Sequence, residues 1–556
     1  MKKIPALVMC LMLSLGCGAC SPEGSGERHE INTENSFEVI SGGTKQDASS
    51  DEVSVRSEDG SEHIHSESGS DYAAALFEKD VLEINITADE SEWQEMLRNA
   101  ASKPWVKCGV EINGEKLADV GVKPKGNTSL SQVLRDGGTR FSLKLNFGKY
   151  TDGQTFHGLD KLALNNIYSD TTYMKEYMSY KLMEYMSVPC SMCTFAEIKV
   201  NGEHFGFYLA VEDVDESFLD RVYGEGNEVE AYKPDAMDTQ MAQAMNGQPV
   251  PLGGMLPQSS DGQPVPPGGM FPQSSDGQPV QPDKQRPDMA GDRDGGVRGV
   301  DLTYSDDSVE SYSNIFDNAV TKPTDEDKSR LISTIKGLNE GTDIEKYVDV
   351  DEVLRYLACN VFLVNLDSYL SSNCHNYILA ENNGVISMLP WDYNLAFGTM
   401  DSESAEEAVN YAIDTALNGV SAEKRPLVTK LLENEGYREK YHAYLRRIAE
   451  EYAAGGLFDR TVDNAAAVID SYVKADTTSF YGYDAFKEGI AALKLFASLR
   501  AESVKAQLDG TIPSYQSDRN DSTVLTDASS LSLDKLGAMN KGNKENPEKR
   551  QKPARS

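Results

Sequence analysis

Asp367 and Asp392, with the amides Asn373 and Asn376 between them, stand in one stretch that reads NLDSYLSSNCHNYILAENNGVISMLPWDYNLAFG from Asn365 to Gly398. These residue types suit phosphoryl transfer to a hydroxyl. One carboxylate orients the attacking hydroxyl, while a second carboxylate and an amide oxygen hold a divalent cation against phosphates. A lone aspartate more often caps a helix or sits in a turn. What sets this pair apart is the order of acid, amides, strand pair and second acid, the order that protein kinases use.

The flanking elements must bring the two acids together. Val353, Leu354, Leu357, Ala358, Val361 and Phe362 recur at helical spacing, so a helix leads into Asp367. Tyr377–Ala380 and Val385–Leu389 are short apolar runs on either side of Glu381-Asn382-Asn383-Gly384. Asn-Gly supplies the positive φ angles of a tight hairpin, so the runs should pair antiparallel. A hairpin returns the chain to its start, which places Asp392 near the loop after Asp367.

Upstream, Val81–Ile86 and Val106–Ile112 alternate as strands, Asp89–Ala100 reads as a helix, and Asn113-Gly114 closes the second strand. Val122-Lys123-Pro124-Lys125-Gly126-Asn127-Thr128-Ser129 puts a glycine beside small hydroxyl residues, so that backbone N–H groups can face an anion and lysines add charge. In Arg140–Phe147, Phe141, Leu143, Leu145 and Phe147 share one face, leaving Lys144 on the other with Arg140, Ser142 and Asn146. A solvated lysine is the default there; its place after the glycine turn makes Lys144 the candidate phosphate contact. A helix is expected over Asp170–Ser187 with Met174, Tyr177, Met178, Leu182, Tyr185 and Met186 as its buried stripe. Thr194–Val200 and Phe205–Val211 form a hairpin about Asn201-Gly202.

Asn-Leu-Asp-Ser-Tyr at 365–369, His375-Asn376-Tyr377 and Pro390-Trp391-Asp392-Tyr393-Asn394 resemble the core of the CotH (spore coat protein H) kinases. Lys125-Gly126-Asn127-Thr128 and the run from Asn201-Gly202 through Glu212 and Asp215 resemble two further motifs of that family. The likeness spans roughly residues 80–400, with one interruption. It implies an atypical protein-kinase-like fold and phosphorylation of secreted proteins with ATP. It also implies that the Asp170–Ser187 helix packs on the ATP-binding sheet, with Glu176 or Glu184 pairing with Lys144. Glu212 is expected to help bind nucleotide or metal, or to be a structural acid.

The chain has 556 residues, 39% of them hydrophobic, and a formal net charge of -36, which argues against nucleic acid as a partner. Met1-Lys2-Lys3 and the apolar Ile4–Leu15 have the form of a secretion signal, too short to span a membrane. Gly16-Cys17-Gly18-Ala19-Cys20 resembles a bacterial lipobox, with Cys20 preferred over Cys17 for lipidation. Cys108, Cys190, Cys193, Cys359 and Cys374 remain; Cys190-Ser-Met-Cys193 has the spacing of half a zinc site or of a redox pair, with no second pair in the chain. Gly247–Asp261 recurs almost unchanged as Gly262–Asp276 without an apolar unit to stack, so residues 236–299 read as a disordered insert.

The resulting expectation is an α+β, two-lobed, atypical protein-kinase-like fold with a helical C-terminal lobe. Its parts are a signal with lipobox (1–20), a disordered tether (21–71), a β-rich N-terminal lobe (72–235), the insert (236–299), a C-terminal lobe (300–512) and a disordered tail (513–556). Within the C-terminal lobe, helices are expected at Thr324–Leu338, Tyr411–Leu417, Leu427–Tyr452, Val462–Tyr472 and Phe486–Leu508. In function the chain reads as an exported lipoprotein kinase on the outer face of the cytoplasmic membrane, acting on Ser or Thr of secreted or surface proteins. Asp367 is its catalytic carboxylate, Asp392 with Asn373 or Asn376 its Mg2+ or Mn2+ site, and Lys125 and Lys144 its phosphate contacts. A non-catalytic surface or coat scaffold is the alternative.

Overall fold

The alternating runs of the first half close on themselves. In the computed structural model, which describes residues 71–235 and 299–537, seven strands form a barrel. They are β1 (Val81–Ala88), β2 (Val106–Ile112), β3 (Glu115–Lys125), β4 (Ser142–Asn146), β5 (Lys161–Asn165), β6 (Cys193–Val200) and β7 (Glu203–Glu212). The order around the barrel is β1-β2-β3-β4-β5-β7-β6, and the parallel pairing of β1 with β6 completes the ring. Asn113-Gly114 and Asn201-Gly202 all have positive φ, as two-residue hairpin turns between right-twisted strands require. Phe141, Leu143, Leu145 and Phe147 point into the barrel core with Leu82, Ile84, Ile86 and Leu162. The opposite face of β3 and β4 therefore carries Lys123, Lys125 and Lys144, with Lys123 directly across from Lys144.

A second core surrounds the helix Val350–Leu363, whose every residue from Tyr356 to Leu363 is buried. Helix Asp325–Glu340 has a capping box at Thr324 and stops at Gly341, which takes the left-handed conformation. Strands β8 (Glu230–Tyr232), β9 (Tyr377–Asn382) and β10 (Val385–Pro390) form a small sheet in the order β10-β9-β8. Asn383 and Gly384 turn the hairpin with φ of 50° and 90°. Alternate residues of this sheet serve different cores: Tyr377, Leu379, Ile386 and Met388 join the large one. Ile378, Ala380, Leu389 and Trp391 pack with Phe218 and Leu219.

The α+β class stands, with strands leading and helices following. The described residues fall in one compact unit, and β8 of the first stretch pairs with β9 of the second. The signal, Cys20, the tether up to residue 70, the repeats and residues 538–556 lie outside the described residues. Four expectations need correction, the first being that Leu427–Tyr452 is one helix: the chain breaks at the extended Asn434, between helices Pro426–Glu433 and Glu435–Arg447. The tail does not begin at 513: Ala528, Leu531, Leu533 and Leu536 are buried, and the Asn410 amide exchanges two hydrogen bonds with the backbone of Thr526. A polar segment with a few apolar anchors can borrow the core of its neighbour instead of forming one. Tyr411–Leu417 is not helical; a short helix at Ala405–Val409 precedes it. Helix Lys175–Tyr185 starts later than Asp170, whose carboxylate instead accepts from the backbone N–H of Thr172 and Lys175 and shapes the turn before it.

One half-buried acid is expected to give the fold a pH dependence. Glu352 has an oxygen, Oε1, buried without a hydrogen-bond partner among the described residues. Burial, then the nearby Asp349 carboxylate, pushes its carboxyl up to about 7. A folded-state value above the unfolded one means that folding takes up a proton, so the penalty is small in acid and grows as pH rises through 7. Glu352→Gln should therefore melt above wild type at pH 8, by the equivalent of ~2–3 kcal/mol, with the gap closing to under about 1 kcal/mol at pH 5. Calorimetry at the two pH values checks this; an equal gap at both refutes it.

Candidate active site

Helix Val350–Leu363 ends at Val364, which takes a left-handed conformation and turns the chain into the loop that carries Asp367. Asp367 is buried, and its carboxylate is gripped from three sides. Asn376 Nδ2 donates to Oδ2 at 2.9 Å, Asn373 Nδ2 to Oδ1 at 3.3 Å, and His375 Nε2 lies 3.2 Å from Oδ1. Burial raises its pKa, the His375 ring partly offsets this, and the charge of Asp392 adds to the rise. The two acids thus feel each other's fields, as the hairpin return predicts. The loop is clasped from outside as well. Arg425, buried beside it, donates to the carbonyls of Tyr369 and Ser371, and Asn418 pairs its backbone with Leu370 and Ser372.

Asp392 leaves β10 with φ of 60° and is half-buried. Its carboxylate accepts no hydrogen bond from the described residues. Asn360 ties its segment to that of Asp367: Tyr393 Oη donates to Asn360 Oδ1 at 3.0 Å, and Asn365 Nδ2 donates to the same oxygen at 3.2 Å. Backbone bonds from Phe397 to Leu363 and from Gly398 to Val364 fasten the two segments again.

The outer face of the barrel supplies the cations. Lys125 Nζ donates to Asn165 Oδ1 at 2.5 Å, and Asn165 Nδ2 donates to Glu176 Oε2 at 2.8 Å. Burial lowers the Lys125 ammonium, offset first by Asp392 and then by Glu176. Burial and then Asp392 push Glu176 up to about 7, against the pull of Lys125. Lys233, just past β8, lies with Nζ 4.2 Å from the centre of the Trp391 ring, and Lys125 lies 5.2 Å from it. Lys233 is exposed, yet protein crowds its ammonium; burial, then Lys125 and Lys144, brings it down to about 8. Lys125 and Lys233 thus meet at the ring of Trp391, the residue before Asp392, and this cluster is the candidate cleft.

Lys144 reaches this cleft with a different partner from the two expected. It is ion-paired with Asp213, not with Glu176 or Glu184. Burial works to raise the Asp213 carboxyl, but the Lys144 ammonium against it holds it below the usual range. Glu184 lies on an exposed helix face with Lys181. Glu212 does not face the cleft. It opposes Leu162 on the inner side of the barrel and takes bonds from Tyr72 Oη, the Met192 N–H and Arg221. Strand alternation puts the next residue, Asp213, on the side of Lys144. That alternation was present in the sequence and could have found it; Asn360, Arg425 and Lys233 carry no local signal of their roles.

Asp367, Asp392, Asn373, Asn376, Lys125 and Lys144 thus converge. No group of three His, Cys, Asp or Glu side chains suited to a metal stands among the described residues. Mg2+ does not need one, since it keeps waters and binds one or two carboxylates plus substrate phosphates. An unpartnered, half-buried Asp392 beside a second carboxylate and two amides fits a hard cation. One cavity of about 430 Å3 lies elsewhere, walled by Ala453, Gly456, Ala497 and Ala501.

Two comparisons bear on this cluster. The model of the family described as "CotH kinase protein" matches residues 122–504, which take in every residue of the cleft from Lys123 to Asp392. The inner spore coat protein H of Bacillus subtilis (strain 168) is 23% identical over 345 residues, covering 62% of this chain and 74% of that protein.

Proposed function

The chain belongs to the CotH kinase family, and from that premise we propose that it transfers the γ-phosphoryl group of ATP to Ser or Thr hydroxyls of exported or surface proteins, coat proteins among them. The observation that carries this reading is the convergence of Asp367 and Asp392, tied through Asn360, on a cleft lined by Lys125, Lys144 and Lys233.

In this reading Asp367 accepts a hydrogen bond from the acceptor hydroxyl, aims its oxygen and takes its proton. Asn373 and Asn376 fix the orientation of that carboxylate. Lys125, Lys144 and Lys233 meet phosphate oxygens, and the pairing with Asp213 and the Asn165–Glu176 relay keep two of them aimed before substrate arrives. Asp392, with an amide oxygen of Asn373 or Asn376, would hold Mg2+ or Mn2+, which would neutralise charge developing on the phosphates. The kinase-like two-lobed architecture, export and lipidation at Cys20 belong to the same proposal.

The test is incorporation of label from γ-labelled ATP into the protein itself or an added acceptor. Purified full-length protein should incorporate label with Mn2+ or Mg2+ and lose it in EDTA. It should also melt higher with ATP and metal than with either alone. No label and no metal-dependent melting shift would favour the scaffold.

A further inference from the structure

Resting on that kinase reading, we propose that Thr526–Gly537 is a positioning strap: by holding down a strained turn between Ile167 and Tyr173, it sets the helix Lys175–Tyr185 and the segment of Asp392 for catalysis.

The turn cannot hold its shape alone. Ile167, Ser169 and Tyr173 all stand in the left-handed region, with φ of 62°, 59° and 62°. Isoleucine and tyrosine are outliers there, and such residues persist only where their surroundings over-determine them. The strap supplies those surroundings. Ala528, Leu531, Leu533 and Leu536 anchor it in the large core. From it the Lys535 carbonyl accepts a hydrogen bond from Thr171 Oγ1, 364 residues away in the chain. Gly489, on the helix Tyr483–Leu508, leaves room for that bond: a Cβ there would come 2.7 Å from Thr171 Oγ1 and 3.0 Å from the Lys535 oxygen. Gly537, with φ of 81°, then lies on the turn itself, where a Cβ would come 2.6 Å from the Ser169 oxygen.

What the turn carries reaches the cleft by two routes. Its Tyr168 carbonyl accepts from Asn394 Nδ2 at 3.1 Å, two residues past Asp392. The buried Lys175 donates both to the Ser169 carbonyl at 2.7 Å and to Thr399 Oγ1 at 2.8 Å, which fastens the far end of the same segment. The next residue, Glu176, accepts from Asn165, whose other end receives Lys125. The turn is therefore the joint between the Asp392 segment and the relay that aims Lys125. A joint in a costly conformation relaxes when its cover is lifted, and both routes relax with it.

Two substitutions in the full-length protein test this. Gly537→Val drives a side chain against the Ser169 carbonyl. Thr171→Val removes the hydroxyl that bonds Lys535 but keeps its shape, and Thr171→Ser restores the bond. Hydrogen exchange along Tyr168–Lys175 should quicken at least about tenfold in both valine variants and return to the wild-type rate in Thr171→Ser. Along Val350–Leu363 it should not change. At a temperature where each valine variant is folded, kcat for transfer from labelled ATP should fall about tenfold. The Mn2+ concentration for half-maximal rate should rise about threefold as the Asp392 segment loosens, while KM for the acceptor stays within about twofold. Unchanged exchange along Tyr168–Lys175 in both valine variants overturns the proposal. So does faster exchange with kcat and the Mn2+ requirement unaltered, which would leave the strap a stabilising role alone. If Gly537→Val also exchanges faster along Val350–Leu363, its fold has failed and the Thr171 pair decides. Because exchange needs no turnover, a wild type that transfers no phosphate while Thr171 and Gly537 still protect the turn would remove the kinase reading and keep the strap's hold on the turn.

Discussion

Asp392→Asn is expected to lose phosphoryl transfer by ~10³-fold or more, about 4 kcal/mol of transition-state stabilisation, while its melting temperature stays within about 3 °C of wild type. The two halves of this expectation have separate causes. The Asp392 carboxylate accepts no hydrogen bond from the described residues, so the amide breaks no described contact. The backbone there has φ of 60°, and asparagine tolerates the left-handed region as well as aspartate does. Function, in contrast, loses the negative oxygen proposed to hold a cation against phosphates. Asp367→Asn is a less clean test, because it turns an amide donor towards Asn373, Asn376 and His375 and loosens the loop as well. Rates with labelled ATP, beside calorimetry of the same preparations, check the claim. An Asp392→Asn enzyme working near the wild-type rate would remove the metal assignment.

What could be read in the sequence was what depends on local pattern. Asn383-Gly384 between two apolar runs dictates a hairpin, and the hairpin dictates that Asp392 comes back towards Asp367; the charge of Asp392 acting on the Asp367 carboxyl agrees. Alternation placed Lys144 on the outer face, where it lies. The same alternation carried one step further would have put Glu212 inside and Asp213 opposite the lysine, but the resemblance pointed towards the helix instead. Barrel closure was not legible. It rests on β1 lying beside β6, so that Ile84 neighbours Ile198, and no local pattern encodes a pairing of that span. The segment after 513 misled for a related reason: Leu531, Leu533 and Leu536 are too few to form a core yet enough to join one.

Arg425 is the position where sequence reading is blind and the expected effect is large. Its guanidinium is buried, stacks 5.2 Å from the centre of the Tyr369 ring, and donates to the carbonyls of Tyr369, Lys424 and Ser371. Two of those carbonyls belong to the loop that carries Asn373 and Asn376, and those amides orient Asp367. Arg425→Met keeps the volume but strands buried carbonyls, at a cost of roughly 2–4 kcal/mol. The loop should loosen, and kcat should fall by ~10–100-fold as the base loses its aim, an effect known for misplaced catalytic groups. KM for ATP should barely move, since Lys125, Lys144 and Lys233 stand on other elements. Arg425→Lys should rescue little, because a single ammonium cannot reproduce a planar fork aimed at three acceptors. Steady-state kinetics separates a positioning role from a merely structural one. If Arg425→Met melts several degrees lower yet keeps its kcat at a temperature where it is folded, the brace serves stability alone, and the aim of Asp367 is set by Asn373, Asn376 and the Asn360 tie without it.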